Sequence, residues 1–203
     1  MHPRIFAEFD RICRERGAGG DVLEIGAVPP PDALLCLPAL TQARSRIGVN
    51  LTGDACFEGW RIVGANANDL GCFADASFDT VLANSVFEHD PFFWLSLREM
   101  RRVARPGAVI VIGVPGYATD GPGRLLKRLA HLPGLGPAMR RCAASRFAST
   151  ATLRIHNFPG DYYRFSPQAV REVLLDGFVD RDVRRILSPP RLVGSAIVPA
   201  RAT

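Results

Sequence analysis

Residues 78–114 read FDTVLANSVFEHDPFFWLSLREMRRVARPGAVIVIGV, and this stretch decides the fold. Phe78 to Ala83 is a short apolar run of strand length. Asp90 can accept from the free N–H groups of a following helical turn, and Pro91 suits that turn because its missing N–H is not needed there. Phe93, Leu97, Met100 and Ala104 recur on one helical face. Arg101, Arg102 and Arg105 gather where the helix dipole is negative, and Pro106-Gly107 stop the helix. Ala108 to Val114 is continuously apolar, the pattern of a parallel strand covered on both faces. The spacing predicts strand, helix and strand wound as one parallel unit.

The same alternation extends outward. Phe6, Phe9 and Ile12-Cys13 form a helical stripe that ends at Gly17–Gly20, and Asp21–Ile25 follows as a strand closing at Gly26. Asp32–Ala43 reads as a helix disturbed by Pro38, and strands are expected at Arg46–Leu51 and Trp60–Val63. Beyond the central unit, Ser166-Pro167 opens a helix that turns Val170, Val173 and Leu174 inward. Phe178–Leu187 and Leu192–Val198 read as an antiparallel hairpin across Ser188-Pro189-Pro190. The predicted architecture is an open α/β fold with a mostly parallel sheet and helices on both faces. Ligands in such sheets bind beyond the carboxyl ends of the strands, which directs attention to Gly26–Asp32, Asn50–Asp54, Ala65–Leu70, Asn84–Asp90 and Pro115–Asp120.

The 203 residues are 47% hydrophobic with a net charge of +5, which suits one folded domain rather than a disordered chain. No apolar run approaches the ~20 residues of a membrane span. Met1-His2-Pro3-Arg4 meets Glu8 and Asp10 before any signal-peptide core, so a cytoplasmic protein is expected. The five cysteines are scattered without zinc-type spacing, so free thiols and no metal are expected. Charge is uneven: residues 1–120 balance at −4 and residues 121–203 at +9. No acid lies between Asp120 and Asp161, which suggests an anionic partner. The basic stretch 121–152 reads as a lid over an acceptor, a patch for an anionic substrate, or an interfacial helix with at most peripheral membrane contact. Nucleic acid is not expected, because aromatics are not interleaved with the basic residues. Oligomeric state is not legible.

Two motif groups resemble a known family. VLEIGAVPPPD (residues 22–32) and the succession Ser77-Phe78-Asp79, Glu88-His89, Glu99, Arg102-Val103, Pro106-Gly107 resemble the class I S-adenosylmethionine-dependent methyltransferases, particularly the type 11 group. His156-Asn157-Phe158-Pro159-Gly160-Asp161-Tyr162-Tyr163-Arg164-Phe165-Ser166-Pro167 resembles an HxxPxDYxRFxP segment of methyltransferase-like proteins linked to bacterial surface-polysaccharide synthesis. The resemblance implies a Rossmann-like, seven-stranded, mostly parallel sheet ending in an antiparallel hairpin. Chain length and the basic stretch together suggest a single domain over 1–203 with a lid-like insertion at about 118–155. S-adenosylmethionine is the implied cofactor, and a small-molecule or glycan-precursor acceptor the implied partner.

Mapped onto this chain, the family's cofactor positions fall on Glu24, Gly26, Ala27, Asn50, Leu51, Asn66, Ala67 and Asn84. Gly26 lets backbone approach a ligand, Asn50 suits the ribose hydroxyls, and Asn66 the adenine amino group. Each has a structural alternative: Glu24 as a cap on turn N–H groups, and the asparagines as ordinary turn residues. The family pattern E-x-G-x-G-x-G here reads Glu24-Ile25-Gly26-Ala27-Val28-Pro29-Pro30, so prolines replace backbone donors. Asn50 and Asn66 stand where acids are usual, which makes the pocket less anionic. Methyl transfer needs alignment and, for a hydroxyl acceptor, a base. His89, His156 and Asp161 are the candidates for that base, with Tyr117 and Tyr162 as positioning groups. An Asp161–Arg164 salt bridge that merely holds the segment is the alternative. The rival functional reading is a degenerate member of the fold acting as a binding or regulatory partner, favoured by the altered loop. A nicotinamide oxidoreductase is disfavoured by the missing GxGxxG turn.

Overall fold

The computed structural model describes residues 1–119, 150–157 and 160–200. Its main sheet has eight strands, β1 (Asp21–Ile25), β2 (Ser45–Asn50), β3 (Ala55–Phe57), β4 (Trp60–Gly64), β5 (Phe78–Asn84), β6 (Ala104–Pro115), β9 (Val179–Ile186) and β10 (Arg191–Ile197). The short β7 (Tyr117–Thr119) and β8 (Thr150–Thr152) pair antiparallel as a separate ribbon. The main sheet runs in the order β3-β4-β2-β1-β5-β6-β10-β9. Pairing from β4 through β6 is parallel, and β3 and β10 run against their neighbours β4 and β6. The next strand in sequence lies on one side of β1 and β5 on the other, so the crevice expected of such sheets opens between the loops after β1 and β5. This is a Rossmann-like α/β fold closed by an antiparallel hairpin.

Alternation along each strand divides the core between the two faces. Leu23, Ile25, Val81, Ile110 and Ile112 join Leu97, Met100 and Val103 of helix α2 (Phe93–Val103) on one face. Val22, Leu82, Val109 and Val111 meet Ile5, Phe9 and Ile12 of helix α1 (Pro3–Glu15) on the other, together with Leu34, Leu35, Leu37 and Leu40. At about 1.5–3 kcal/mol for each fully buried aliphatic side chain, these two layers are the main stabilising term.

Several expectations need correction. The sheet has eight strands, not seven. The added β3 folds back on β4 through a Glu58-Gly59 turn, and its three residues are too few for a periodic signal. Asp32–Ala43 is not an α-helix but two 3₁₀ turns, Leu34–Cys36 and Pro38–Leu40. Pro38 has no N–H to give and its ring would strike the carbonyl of Leu34 in an α-helix. Helix α2 ends where Ala104 turns extended, and Pro106-Gly107 lie inside β6 at a register irregularity, with Gly107 at φ 82°. Val173 is 49% exposed rather than inward. The five residues Val170–Leu174 wind as a π-helix, and the Leu175 N–H reaches the Val170 oxygen at 2.9 Å, so Leu175 takes the inward place. The lid-like insertion falls largely on residues 120–149, outside the described residues, as does Cys142. Tyr117–Thr119 and Thr150–Thr152 flank it and pair with each other. Among the described residues, no helix is long and apolar enough to cross a membrane, and the four cysteines are free thiols.

Two ionic networks brace the frame. At the amino ends of the strands, Asp79 accepts from the Asp21 N–H at 2.8 Å and from Arg105 at 2.7 Å. Arg44 and Arg105 also pair with Asp21, whose carboxyl they hold well below the usual range, the Arg44 hydrogen bond first. On α2, the buried Glu99 accepts from the Leu70 N–H at 2.9 Å and pairs with Arg102 at 2.8 Å. Arg102 in turn donates to the Leu70 and Phe73 oxygens, both at 2.9 Å, which stitches the helix to the 70–75 loop. Replacing Arg102 by Met strands a buried carboxylate and two carbonyls. The expected loss is about 2–4 kcal/mol in urea denaturation, largely restored by adding Glu99→Gln. A change within about 0.5 kcal/mol, typical of an unremarkable surface site, would contradict this bracing role.

Candidate functional site

A cleft of ≈ 730 Å³ opens at the carboxyl ends of β1 and β5. Glu24, Gly26 and Val28 come to it from the first strand and its loop, Asn84 and Ser85 from β5, and Arg191 from the hairpin. Met1, His2 and Ile5 close one side. Gly26 has φ 77°, and a Cβ there would stand 2.4 Å from Val86 Cγ2, so the loops after β1 and β5 meet at a contact only glycine permits.

The loop after β1 is fastened from both sides. The Gly26 and Ala27 N–H groups donate to the Val49 oxygen at 2.9 and 3.0 Å, and the Ala27 oxygen accepts from Asn50 Nδ2 at 2.6 Å. Ala27 is buried against Gly48, where a Cβ would meet it at 2.3 Å. Glu24 is 3% exposed and accepts from the Leu35 N–H at 3.0 Å, the capping arrangement that joins β1 to the first 3₁₀ turn. Burial raises the Glu24 pKa to about 7, against the pull of the Leu34 and Leu35 N–H groups.

The positions after β2 and β4 lie farther along the sheet edge. Asn50 also accepts from the Thr52 N–H at 3.2 Å, and Asn66 from the Asn68 N–H at 2.9 Å, so both asparagines shape their own turns. Leu51 is 69% exposed, an apolar face at the end of β2, while Ala67 packs against the core.

The loop after β5 carries the densest polar cluster. Arg191, 8% exposed, donates to Asn84 Oδ1 at 3.0 Å and Ser85 Oγ at 2.5 Å, and faces Glu88 at 3.4 Å. Glu88 is fully buried, and its second oxygen, Oε2, has no hydrogen-bond partner among the described residues. The Glu88 backbone oxygen accepts from the Tyr162 N–H at 2.7 Å, which docks the 160–167 segment onto this loop. Asp90, expected as the cap of α2, sits two residues ahead of the Phe92 cap. It accepts from the Phe92 N–H at 2.8 Å, from Ser96 and from Asn68.

His89 and His156 come together with their rings edge to face, 4.9 Å between centroids. His89 Nδ1 hydrogen-bonds the Gly160 oxygen, and since a carbonyl only accepts, Nδ1 carries the proton. His89 Nε2 is then the basic nitrogen of the neutral ring. Asp161 is enclosed by both terminal nitrogens of Arg164 and by the His156 N–H at 2.9 Å. Arg164 above all holds the Asp161 carboxyl well below the usual carboxylate range. Tyr162 and Tyr117 are 54% and 44% exposed, the latter on β7.

Glu24, Gly26 and Asn84 thus share one cleft, and His89, His156, Asp161 and Tyr162 share one cluster beside the loop after β5. Sequence reading missed Ser85, Glu88 and Arg191 as members of the site. A signal for Arg191 existed. It opens the last apolar strand, and an antiparallel strand beside β6 starts at the end where its neighbours finish. Register confirms this, with Arg191 opposite Pro115.

A family model described as a methyltransferase domain matches residues 36–112. No curated protein sequence matches the chain. Among solved structures, the 1,6-didemethyltoxoflavin N1-methyltransferase of Burkholderia thailandensis, determined with bound 1,6-didemethyltoxoflavin and S-adenosylhomocysteine, is similar in fold. It is 20% identical with a TM-score of 0.63, over 96% of this chain and 78% of that one. Phosphoethanolamine N-methyltransferase 2 of Haemonchus contortus, determined with phosphomonomethylethanolamine and S-adenosylhomocysteine, is 13% identical with a TM-score of 0.60. That match covers 95% of this chain and 53% of the other.

The raised pKa of Glu24 has a signed consequence. Between about 4.5 and about 7 the folded chain holds a proton that the unfolded chain has released, so stability falls as pH rises through that window. Glu24→Gln removes this dependence, and the stability difference between the variant and the natural protein should shift by about 1.4 kcal/mol per pH unit in the variant's favour. Denaturation at pH 5 and pH 7 measures it; parallel curves would refute the assignment.

Proposed function

We propose that this protein is an S-adenosylmethionine-dependent methyltransferase whose acceptor is a small molecule or glycan precursor. The supporting observation is the ≈ 730 Å³ cleft at the switch point of the sheet, where Glu24, Gly26 and Asn84 converge. The residues fit the cofactor. The cleft is of ligand size, the Gly26 turn leaves its floor without a side chain, and Leu51 offers an apolar surface at the end of β2 for a purine ring. When bound, the cofactor supplies an electrophilic methyl carbon on a sulfonium.

What the chain adds is position and a proton acceptor. Asn50 ties the loops after β1 and β2 into one rigid rim, and the contact of Gly26 with Val86 sets the distance across the cleft. Holding the acceptor atom in line accounts for much of the expected acceleration. We assign the base to His89, whose Nδ1 is fixed by the Gly160 carbonyl so that Nε2 can take the acceptor's proton. The Asp161–Arg164 pair then positions the segment that carries His156 and Tyr162 beside His89, and we assign Tyr162 and Tyr117, both exposed, to positioning the acceptor. The resemblance of residues 156–167 to polysaccharide-linked proteins makes sugars and lipid-linked glycans the first acceptors to screen. A cytoplasmic place accords with this reading, since the cofactor is a cytoplasmic metabolite.

One observation favours the degenerate alternative: the Gly26 and Ala27 N–H groups are spent on Val49, and Pro29 to Pro31 have none. Calorimetric titration separates the two readings. Micromolar binding of S-adenosylmethionine and S-adenosylhomocysteine at one site is expected, whereas no heat and no thermal stabilisation at millimolar ligand would favour a binding partner without turnover. With an acceptor in hand, His89→Ala should lower kcat by about 10²–10⁴-fold. His156→Ala retaining full turnover would leave His89 as the base.

A further inference from the structure

Arginine can only donate hydrogen bonds, and that fact fixes the polarity of the deep end of the cleft. Arg191 takes the side-chain oxygen of Asn84 at 3.0 Å and that of Ser85 at 2.5 Å. What those neighbours retain is the Asn84 NH₂ and the Ser85 O–H, both donors. Of the five N–H groups of Arg191, the contacts with Asn84, Ser85 and Glu88 leave at least two over. Arg191, Asn84 and Ser85 all line the cleft. Two other features preserve the arrangement. Ser85 is held at φ 57°, and Gly113 leaves room for Asn84, because a Cβ there would stand 2.4 Å from Asn84 Oδ1.

We infer that Arg191, Asn84 and Ser85 form an anion pocket, built to hold a carboxylate or similar oxyanion of a ligand in the cleft. Such a group is all acceptor, and here it meets a wall that is all donor, with a planar guanidinium at its centre. The acids nearby do not oppose it. Glu24 is turned onto the Leu34–Leu35 turn, Asp32 is at the exposed rim, and Glu88 lies behind Arg191, fully buried. Glu88 holds the guanidinium in place but stands 3.4 Å off, which leaves the cation incompletely paired. Burial accordingly lowers the Arg191 pKa from its ordinary value.

Two ligands of the proposed reaction can bring the oxyanion: the aminoacyl tail of the cofactor, or an anionic acceptor. The inference rests on the methyltransferase reading only for that choice. The test is calorimetric titration of the natural protein, Arg191→Lys and Ser85→Ala with S-adenosylhomocysteine and with 5′-methylthioadenosine, which lacks the tail. Arg191→Lys keeps a cation opposite Glu88, and thermal denaturation checks that both variants fold. If the tail is held, S-adenosylhomocysteine binding weakens at least tenfold in both variants while 5′-methylthioadenosine changes less than twofold. If the acceptor is held, both nucleosides bind unchanged. Succinate or inorganic phosphate then binds the S-adenosylhomocysteine complex of the natural protein and not those of the variants. Nucleoside binding unchanged by the variants, together with no variant-sensitive anion binding, overturns the pocket. If neither nucleoside binds, it is the methyltransferase reading that fails, and titration of succinate and phosphate into the free proteins still decides the pocket.

Discussion

A guanidinium enclosed at the open end of a parallel sheet must find acceptors, and in this protein Arg191 finds them on one loop. Its bonds to Asn84 and Ser85 and its approach to Glu88 set the course of the chain as it leaves β5. Ser85 is thereby held at φ 57°, a conformation that costs a non-glycine residue on the order of 1 kcal/mol or more. With the loop fixed, the Glu88 oxygen is available to the Tyr162 N–H, and the 160–167 segment docks with His89, His156 and Asp161 beside one another. An unpaired buried charge costs several kcal/mol, far more than any exposed ion pair in the molecule contributes, so this cluster outranks the surface pairs in shaping the site.

The two ends of the sheet are built differently. At the amino ends, Asp21 and Asp79 with Arg44 and Arg105 satisfy one another. At the carboxyl ends the loops after β1 and β5 meet at Gly26 and Val86, and a cleft remains beside that contact. In the first loop the Gly26 and Ala27 N–H groups are spent on Val49, and Pro29 to Pro31 have none. Across the cleft, Asn84 of β5 and Arg191 of β10 present polar side chains.

Much of the frame was readable because it follows local rules. The strand–helix–strand unit of residues 78–114, the strand at Asp21–Ile25 and the final hairpin all carry apolar periodicity and turn residues. What was misread also has local causes. Pro38 divides a leucine-rich stretch that otherwise looks helical, a π-helical turn rotates Val173 outward, and β3 has too few residues to show alternation. The candidate site was half legible. Glu24, Gly26 and Asn84 stand at the ends of recognisable strands and do meet in one cleft. Ser85, Glu88 and Arg191 were passed over because no spacing along the chain relates residue 191 to residues 84–88.

Periodicity, turn chemistry and the order of elements, all properties of the chain itself, determined the wound α/β architecture and the edge of the sheet where a ligand belongs. Only the tertiary structure decided which side chains line the cleft at that edge and with what polarity. The antiparallel register of β10 on β6 carries a buried arginine to the carboxyl ends of the parallel strands. There its donors turn two neighbouring polar groups into donors as well. Burial and hydrogen-bond direction are set by contacts across more than a hundred residues of chain, which local pattern does not encode.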